Sequence, residues 1–562
     1  MTDLALPPAL VMVLGAFLIP FLQDPARRRL VLGLPLLTLL LVWLVPEQAG
    51  LRIAFLGVEL SPAHATAEGR RFATVFALMA AVGGLYALGS GARPLELVAA
   101  YVYAGSAIGV TFAGDLLTLF IFWELMAIGS TAVIFAAGTE SARRAAFRYL
   151  LVHLLGGVVL MAGILAHWSD TGSIAVEVLG TSTLGTVLIL IGILVNAGAP
   201  PLSAWIADAY PEASPSGTVF LSAFTTKTAV FALLVMFPGT ELLIWIGLYM
   251  VFYGIIYALL ENDMRRILAY SIVNQVGFMV CAIGIGTELA LNGAAAHAFA
   301  HIIYKALLLM SAGSVLLMTG KRKCTELGGL FQTMPRTAMH GIIGALAISA
   351  FPFTSGFVTK SLETAAAAHE GMLVVWMLLL AASAGVFLHA GIKFPWFVFF
   401  QKDSGLRPAE PPVDMRWAMA VFSFLCIALG LFPQPLYAIL PYPVDYQPYT
   451  VEHVVSQLQL LLFAGFAFFV LLSQMRRTLT ISLDFDWFYR KFLHQLADEF
   501  TLRTARARED LEDRAYRRIR ALIANLYTHH GPQGILARSS PTGSMVLWVA
   551  LMLGCTLLLY IF

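Results

Sequence analysis

Of the 562 residues, 59% are hydrophobic and only 12% charged, about half the charged share of a soluble globular chain, which excludes water as the main solvent of the surface. The formal net charge of +2, without a basic patch interleaved with aromatics, gives no sign of a nucleic-acid partner. Cys281, Cys324, Cys426 and Cys555 lie far apart with no CxxC pair, so neither a zinc site nor a disulfide framework is indicated.

Apolar segments of about 20 residues recur along the whole chain with short polar gaps, the pattern of an all-α, polytopic membrane protein of about sixteen transmembrane helices. Asp3 precedes the first apolar run and Arg27, Arg28 and Arg29 follow it, so it reads as an uncleaved span. Spans are expected at 4–23, 29–46, 71–90, 95–113, 115–137, 143–168 and 183–199. They continue at 217–236, 241–260, 264–286, 291–319, 336–368, 371–400, 415–432, 455–473 and 544–561. Lys and Arg are retained on the cytoplasmic side. With the N-terminus outside, the inward loops hold Arg27 to Arg29, Arg143, Arg144, Arg265, Arg266, Lys321, Arg322, Lys323, Lys402, Arg407 and Arg416. The outward loops hold Asp170, Glu177, Glu241, Glu288, Glu370, Asp445 and Glu452, and the loop around Arg52, Arg70 and Arg71 is the exception. The expectation is a bacterial-type inner membrane with both termini outside.

Two spans are interrupted. Asn196 is followed by Pro200 and Pro201, and Ala350 by Pro352 and Gly356. Proline frees a helix carbonyl, and such a break survives in a bilayer only where protein or a water-filled cavity satisfies the backbone. Each break is fourth in a row of five spans, which predicts two inverted five-helix repeats, 95–236 and 241–400. Helices at 1–94 precede them and helices at 415–473 follow. Beyond Asp486, charge-rich sequence with apolar residues at helical spacing predicts an amphipathic helix at 484–530 on the cytoplasmic side, and 544–562 forms the last span.

Ionisable groups inside spans are costly and need a partner, a cavity or a function. Glu124 and Lys227 each sit within a span, and His297, His301 and Lys305 stand at i, i+4 and i+8 of one helix. Lys360 follows the second break, and His389 and Lys393 are paired at i, i+4. Burial disfavours the charged form of lysine and carboxylate, and a nearby opposite charge restores it, so moving a partner loads or unloads the proton. Histidine titrates near neutrality unaided. The series therefore reads as a proton relay bridged by water. The bland alternative for any one member is a buried polar group satisfied by a neighbouring helix, and His153, alone on an apolar face, reads as structural. No metal site is expected, since the repulsive Lys305 stands beside His297 and His301. No cofactor is expected either, for want of a dinucleotide, haem or iron-sulfur motif, so the chain reads as a conduit and not an enzyme.

The stretches Phe122-Trp123-Glu124-Leu125-Met126, Pro201-Leu202-Ser203-Ala204-Trp205-Ile206-Ala207-Asp208-Ala209, Asn262-Asp263-Met264-Arg265-Arg266-Ile267-Leu268-Ala269-Tyr270-Ser271, His301-Ile302-Ile303-Tyr304-Lys305-Ala306-Leu307 and Ser355-Gly356-Phe357-Val358-Thr359-Lys360 together resemble the antiporter-like subunits. These are shared by proton-pumping NADH:quinone oxidoreductase and Mrp-type sodium/proton antiporters, and this chain is most similar to the Mrp D type. The resemblance covers roughly Leu95 to Phe400. It implies a fourteen-helix core with two half-channels, Glu124 and Lys227 in the first, His301 and Lys305 at the centre and Lys360 in the second. Asn196 departs from the family, which usually has lysine there, and Ser203 stands where many relatives have histidine. The resemblance implies membrane partner subunits, with the amphipathic helix clamping one of them, and protons exchanged for sodium. The rival readings are a membrane-arm subunit of a redox pump, the energising subunit of an inorganic-carbon or solute uptake complex, and a scaffold with an inactive channel.

Overall fold

The computed structural model describes residues 7–46, 51–55, 57–473, 483–538 and 540–562, so residues 4–6 of the first expected span lie outside them. Helices dominate because a helix satisfies its own backbone polar groups, the condition for crossing a bilayer. Among the described residues, 12 helices are long and apolar enough to span a membrane, and the shorter Pro8–Phe21 and Leu184–Ala197 stand at two further expected spans. The others correspond to the helix Ala26–Leu44 and to a pair of half-helices, Pro335–Ile348 and Ser355–His369. A small antiparallel hairpin, Ile53–Phe55 with Val58–Leu60, occupies the loop after Arg52.

The chain divides into two compact units, Met1–Asp486 and Trp487–Phe562. In the first, the helices Pro215–Met236, Met264–Ile285 and Glu288–Thr319 form the interior, with 94%, 100% and 78% of an apolar 18-residue stretch of each buried, whereas Val451–Val470, at 22%, is peripheral. Side chains close the free N–H groups at helix starts: Asp115 accepts from the Thr118 amide at 2.7 Å and Asp263 from the Arg265 amide at 2.9 Å. The second unit contains the 38-residue helix Leu493–His530, stitched by i, i+4 pairs such as Arg508 with Glu512 at 2.8 Å, and the apolar helix Thr542–Ile561.

Two expected continuous spans are not regular. The span at 217–236 is interrupted: Pro215–Leu221 and Thr225–Met236 are separated by Ser222, Ala223 and Phe224. No proline causes this break; the Lys227 ammonium takes the Ser222 carbonyl at 2.8 Å and so competes with the helix. In the span at 371–400, the α-helix Leu373–Val386 widens into π-helical turns at Phe387–Lys393 and Trp396–Phe400. Pro395 explains the widening, since it lacks an N–H and crowds the preceding turn.

Close helix approach in the interior depends on glycine. On Leu242–Leu260, a β-carbon at Gly254 would stand 2.6 Å from both the Asn274 nitrogen and the Tyr270 oxygen, backbone atoms of Met264–Ile285 that cannot step aside. Gly254→Ala should therefore part the two helices and cost roughly 1–3 kcal/mol, read as a lower midpoint of thermal unfolding in detergent. Gly33→Ala, with nothing within 4 Å of the added carbon, should leave that midpoint where it is or raise it slightly; equal behaviour of the two variants would refute the packing argument.

Candidate functional site

The central helix Glu288–Thr319 is unbroken over 32 residues, so residues four apart share a face. His297, His301 and Lys305 do so, and all three are wholly buried. The His297 ring is held at both nitrogens. Nδ1 meets the two carboxylate oxygens of Glu363 at 3.0 Å each, while Nε2 lies 2.8 Å from the Tyr304 hydroxyl and 3.2 Å from Gln275 Oε1. The Tyr304 hydroxyl also reaches Gln275 Oε1 at 3.0 Å. This geometry suits both states of the ring. When neutral with hydrogen on Nδ1, it donates to Glu363 and accepts from Tyr304; when cationic, Nε2 donates to Gln275 and Tyr304 turns its hydrogen to the same amide oxygen.

Glu363, on Ser355–His369 and wholly buried, is a member of the site that sequence reasoning misses. A signal for it exists: Lys360 and Glu363 are spaced i, i+3 inside an expected span, the same costly burial of charge that identifies the others.

The remaining central groups lack such partners. Among the described residues, neither His301 nitrogen nor Lys305 Nζ has a hydrogen-bond partner, although both residues are buried. The His301 ring lies 6.1 Å from that of His297 and 5.2 Å from that of Tyr304. Lys227 donates to the Ser222 carbonyl at 2.8 Å and the Thr226 hydroxyl at 2.9 Å. Lys360 donates to the Ile348 carbonyl at 2.6 Å, at the C-terminal end of the preceding half-helix, with its ammonium 5.1 Å from the centre of the Phe278 ring. Between those half-helices Ala350 and Phe353 adopt left-handed backbone, φ 55° and 69°, at about 1–2 kcal/mol each. A β-carbon at Gly356 would overlap the Ala347 carbonyl, so only glycine lets the two halves meet. Pro352 sits in this turn.

Beside Lys360 a cavity of ≈ 450 Å³ is lined by Ser361, Thr364, Glu452, His453 and Gln457 among others. Helix Val451–Val470 supplies the last three, and the His453 ring stacks on Phe357 at 4.5 Å.

In the first half the helix Leu184–Ala197 ends with Gly198 at φ 79°, and the chain turns through Pro200 and Pro201 before Trp205–Ala209. The Trp205 indole takes the freed Val195 carbonyl at 3.0 Å. Asn196 Oδ1 pairs with His153 Nδ1 at 2.8 Å, and Ser203 Oγ is buried without a partner. Glu124 Oε1 is likewise unpartnered among the described residues, and the polar partners of Lys227 are Thr226 on its own helix and Ser222 in the break before it. Lys393 donates to the carbonyls of Ala258 at 3.0 Å and of Leu259 and Glu261 at 2.6 Å, closing the end of Leu242–Leu260. His389 bonds the Gly385 carbonyl through Nδ1 at 2.8 Å and leaves Nε2 free of partners.

Ion pairs crowd the loop after the first break. Arg148 grips Asp208 with two bonds of 2.7 and 2.8 Å, and Arg322 bridges Glu212 at 2.9 Å and Asp263 at 2.8 Å. Burial opposes charge on Glu212, yet Ser141 and Arg322 hold its carboxyl below the usual range.

The family model described as NADH:quinone oxidoreductase/Mrp antiporter, TM, matches residues 113–386. The D-type subunit of the Na(+)/H(+) antiporter of Alkalihalophilus pseudofirmus is 29% identical over 430 residues, 69% of this chain and 87% of that protein. The N-type subunit of the NADH-quinone oxidoreductase of Desulforudis audaxviator is 30% identical over 367 residues, 58% of this chain and 72% of that protein. A chain in the structure of the Mrp complex from Dietzia sp. DQ12-45-1b shares the fold, with a TM-score of 0.67 at 21% identity over 77% of this chain and 95% of that one.

The Glu363 contact can be tested by stability alone. Glu363→Ala strips His297 Nδ1 of its acceptor in a dry interior and should cost on the order of 1–3 kcal/mol. Glu363→Gln keeps an acceptor oxygen and should cost clearly less; equal loss in thermal unfolding would show that the pair contributes nothing beyond packing.

Proposed function

Because the chain belongs to the antiporter-like subunit family shared by NADH:quinone oxidoreductase and the Mrp antiporters, we propose that it conducts protons as one membrane subunit of a multisubunit cation/proton antiporter. The observation that carries this reading is a run of buried ionisable groups. It goes from Lys227 through Lys305 and His301 to the His297–Glu363 pair and Lys360, and it opens onto the ≈ 450 Å³ cavity. Groups this costly to bury, several of them of like charge, call for a function, and the run ends at a cavity with polar lining.

Protons enter the central run from the side of Lys227. Lys305, with no fixed partner, accepts and releases its proton with little rearrangement. His297 exchanges hydrogen-bond partners as it does so, and Lys360 delivers to the cavity. The two rows of five spans around the breaks at Asn196, Pro200, Pro201 and at Pro352, Gly356 act as inverted half-channels. The loops with Arg and Lys face the cytoplasm, both termini face outward, and sodium is the counter-transported ion. The helix Leu493–His530, rich in charge on one side and in Leu496, Phe500, Leu511 and Ile519 on another, clamps a neighbouring membrane subunit.

The test is proton movement in proteoliposomes holding the assembled complex, followed by a pH-sensitive dye across an imposed sodium gradient. Lys305→Met and Lys360→Met should each lower it on the order of 100-fold with assembly intact. Undiminished transport in both, at normal assembly, would make the chain a scaffold.

A further inference from the structure

In the first half, Asn196 has no titrating proton, the ammonium of Lys227 is engaged by Ser222 and Thr226, and Glu124 Oε1 has no polar partner. The structure places an imidazole in this gap. His153, on the helix Glu140–Thr171, is 1% exposed, and its Nδ1 meets Asn196 Oδ1 at 2.8 Å. An amide oxygen only accepts, so Nδ1 carries the hydrogen and Nε2 has a free lone pair; that nitrogen is buried with no partner.

One helical turn further along the same face, Gly157 leaves room for the Glu124 carboxylate, and a β-carbon there would overlap Glu124 Oε1. Positions four apart on a helix are about 5–6 Å apart at their β-carbons, so the carboxylate meets this helix one turn from the imidazole and on the same face, a separation that a water can bridge. On its other side His153 stacks on Tyr149 at 4.0 Å. The Tyr149 hydroxyl reaches Thr225 at 3.2 Å, and the adjacent Thr226 hydroxyl receives the Lys227 ammonium at 2.9 Å. The ring also meets Trp205 at 4.6 Å, and Tyr210 lies against Tyr149 and Trp205. Glu124 is thus the acidic group on its side and the tyrosines are the other titratable neighbours.

We propose that His153 is the titrating base of the first half of the pathway, held in its Nδ1–H tautomer by Asn196. Its Nε2 gains the proton that Glu124 gives up. The imidazolium then has hydrogen on both nitrogens, and the neutral ring returns when Nε2 releases its proton onward in the direction of Lys227. This inference rests on the proton-conducting reading above. A ring that only fills the space between Tyr149 and Trp205 would need none of these proton steps.

The experiment uses the assembled complex in proteoliposomes, with transport normalised to assembled protein. His153→Asn keeps a donor toward Asn196 and removes the titrating nitrogen, and should lower proton movement on the order of 100-fold. The exchange H153N/N196H returns an imidazole to the same pair from the opposite helix and should recover most of it, a rescue that a packing role does not predict. His153→Gln serves as a second non-titrating variant should His153→Asn assemble poorly. Transport near wild type in either non-titrating variant, or an assembled exchange variant as slow as His153→Asn, overturns the proposal while a slow Lys305→Met leaves the wider reading standing. Undiminished transport in both Lys305→Met and Lys360→Met overturns both readings.

Discussion

A positive charge placed in a dry interior must find a substitute for water, and in this protein backbone carbonyls released from helices provide it. Lys227 takes the Ser222 carbonyl, Lys360 that of Ile348, and Lys393 those of Ala258, Leu259 and Glu261. Arg265, 2% exposed, donates to the carbonyls of Pro211, Ala213 and Ser214 in the loop beyond the first break. The effective penalty for burying an ion is several kcal/mol, and the last carbonyls of a helix carry the negative end of its dipole. Interrupted helices and buried cations are therefore one feature: each makes the other tolerable. A lysine replaced by an apolar residue would leave a carbonyl unsatisfied, just as a mended helix would leave a lysine without its acceptor.

Lys305 differs. It lies on the unbroken helix Glu288–Thr319, where every carbonyl in reach is committed to the helix, and its ammonium has no partner. Like charges repel strongly in a low-dielectric interior, and Lys227, Lys305 and Lys360 are all buried in the same unit. Among the described residues the lysines on either side of Lys305 are engaged by carbonyls or hydroxyls, and this one in the middle is not.

Much of this is legible in the residues, because bilayer physics leaves so few solutions. Span length, the alternation of basic and acidic loops and the prolines at 200, 201 and 352 account for the helices and both main breaks. The break at Ser222 carries no proline or glycine signal, since a lysine side chain five residues on competes for the carbonyl, and competition of that kind depends on where a long side chain folds back. Pro395 is a signal for the π-helical turns around His389 and Lys393, but a proline in a span is as compatible with a kink as with a widened turn. Glu363 escapes notice although its spacing from Lys360 is visible; its significance comes from His297, which sits on another helix. His153 reads as structural for the same reason. Its partner Asn196 is 43 residues away, and no local pattern joins them.

The two halves of the molecule reach a similar end by different chemistry. In the second half a carboxylate, Glu363, is fixed on a histidine at 3.0 Å and a lysine stands three residues before it on the same half-helix. In the first, a carboxylate has no fixed ion partner, and the histidine near it is held by an amide. A carboxylate oxygen and an amide oxygen both accept a hydrogen bond from a ring N–H, so each fixes the orientation of its imidazole. The asymmetry lies in the partners: a carboxylate on the imidazole in the second half, an amide on the imidazole beside an unpartnered carboxylate oxygen in the first.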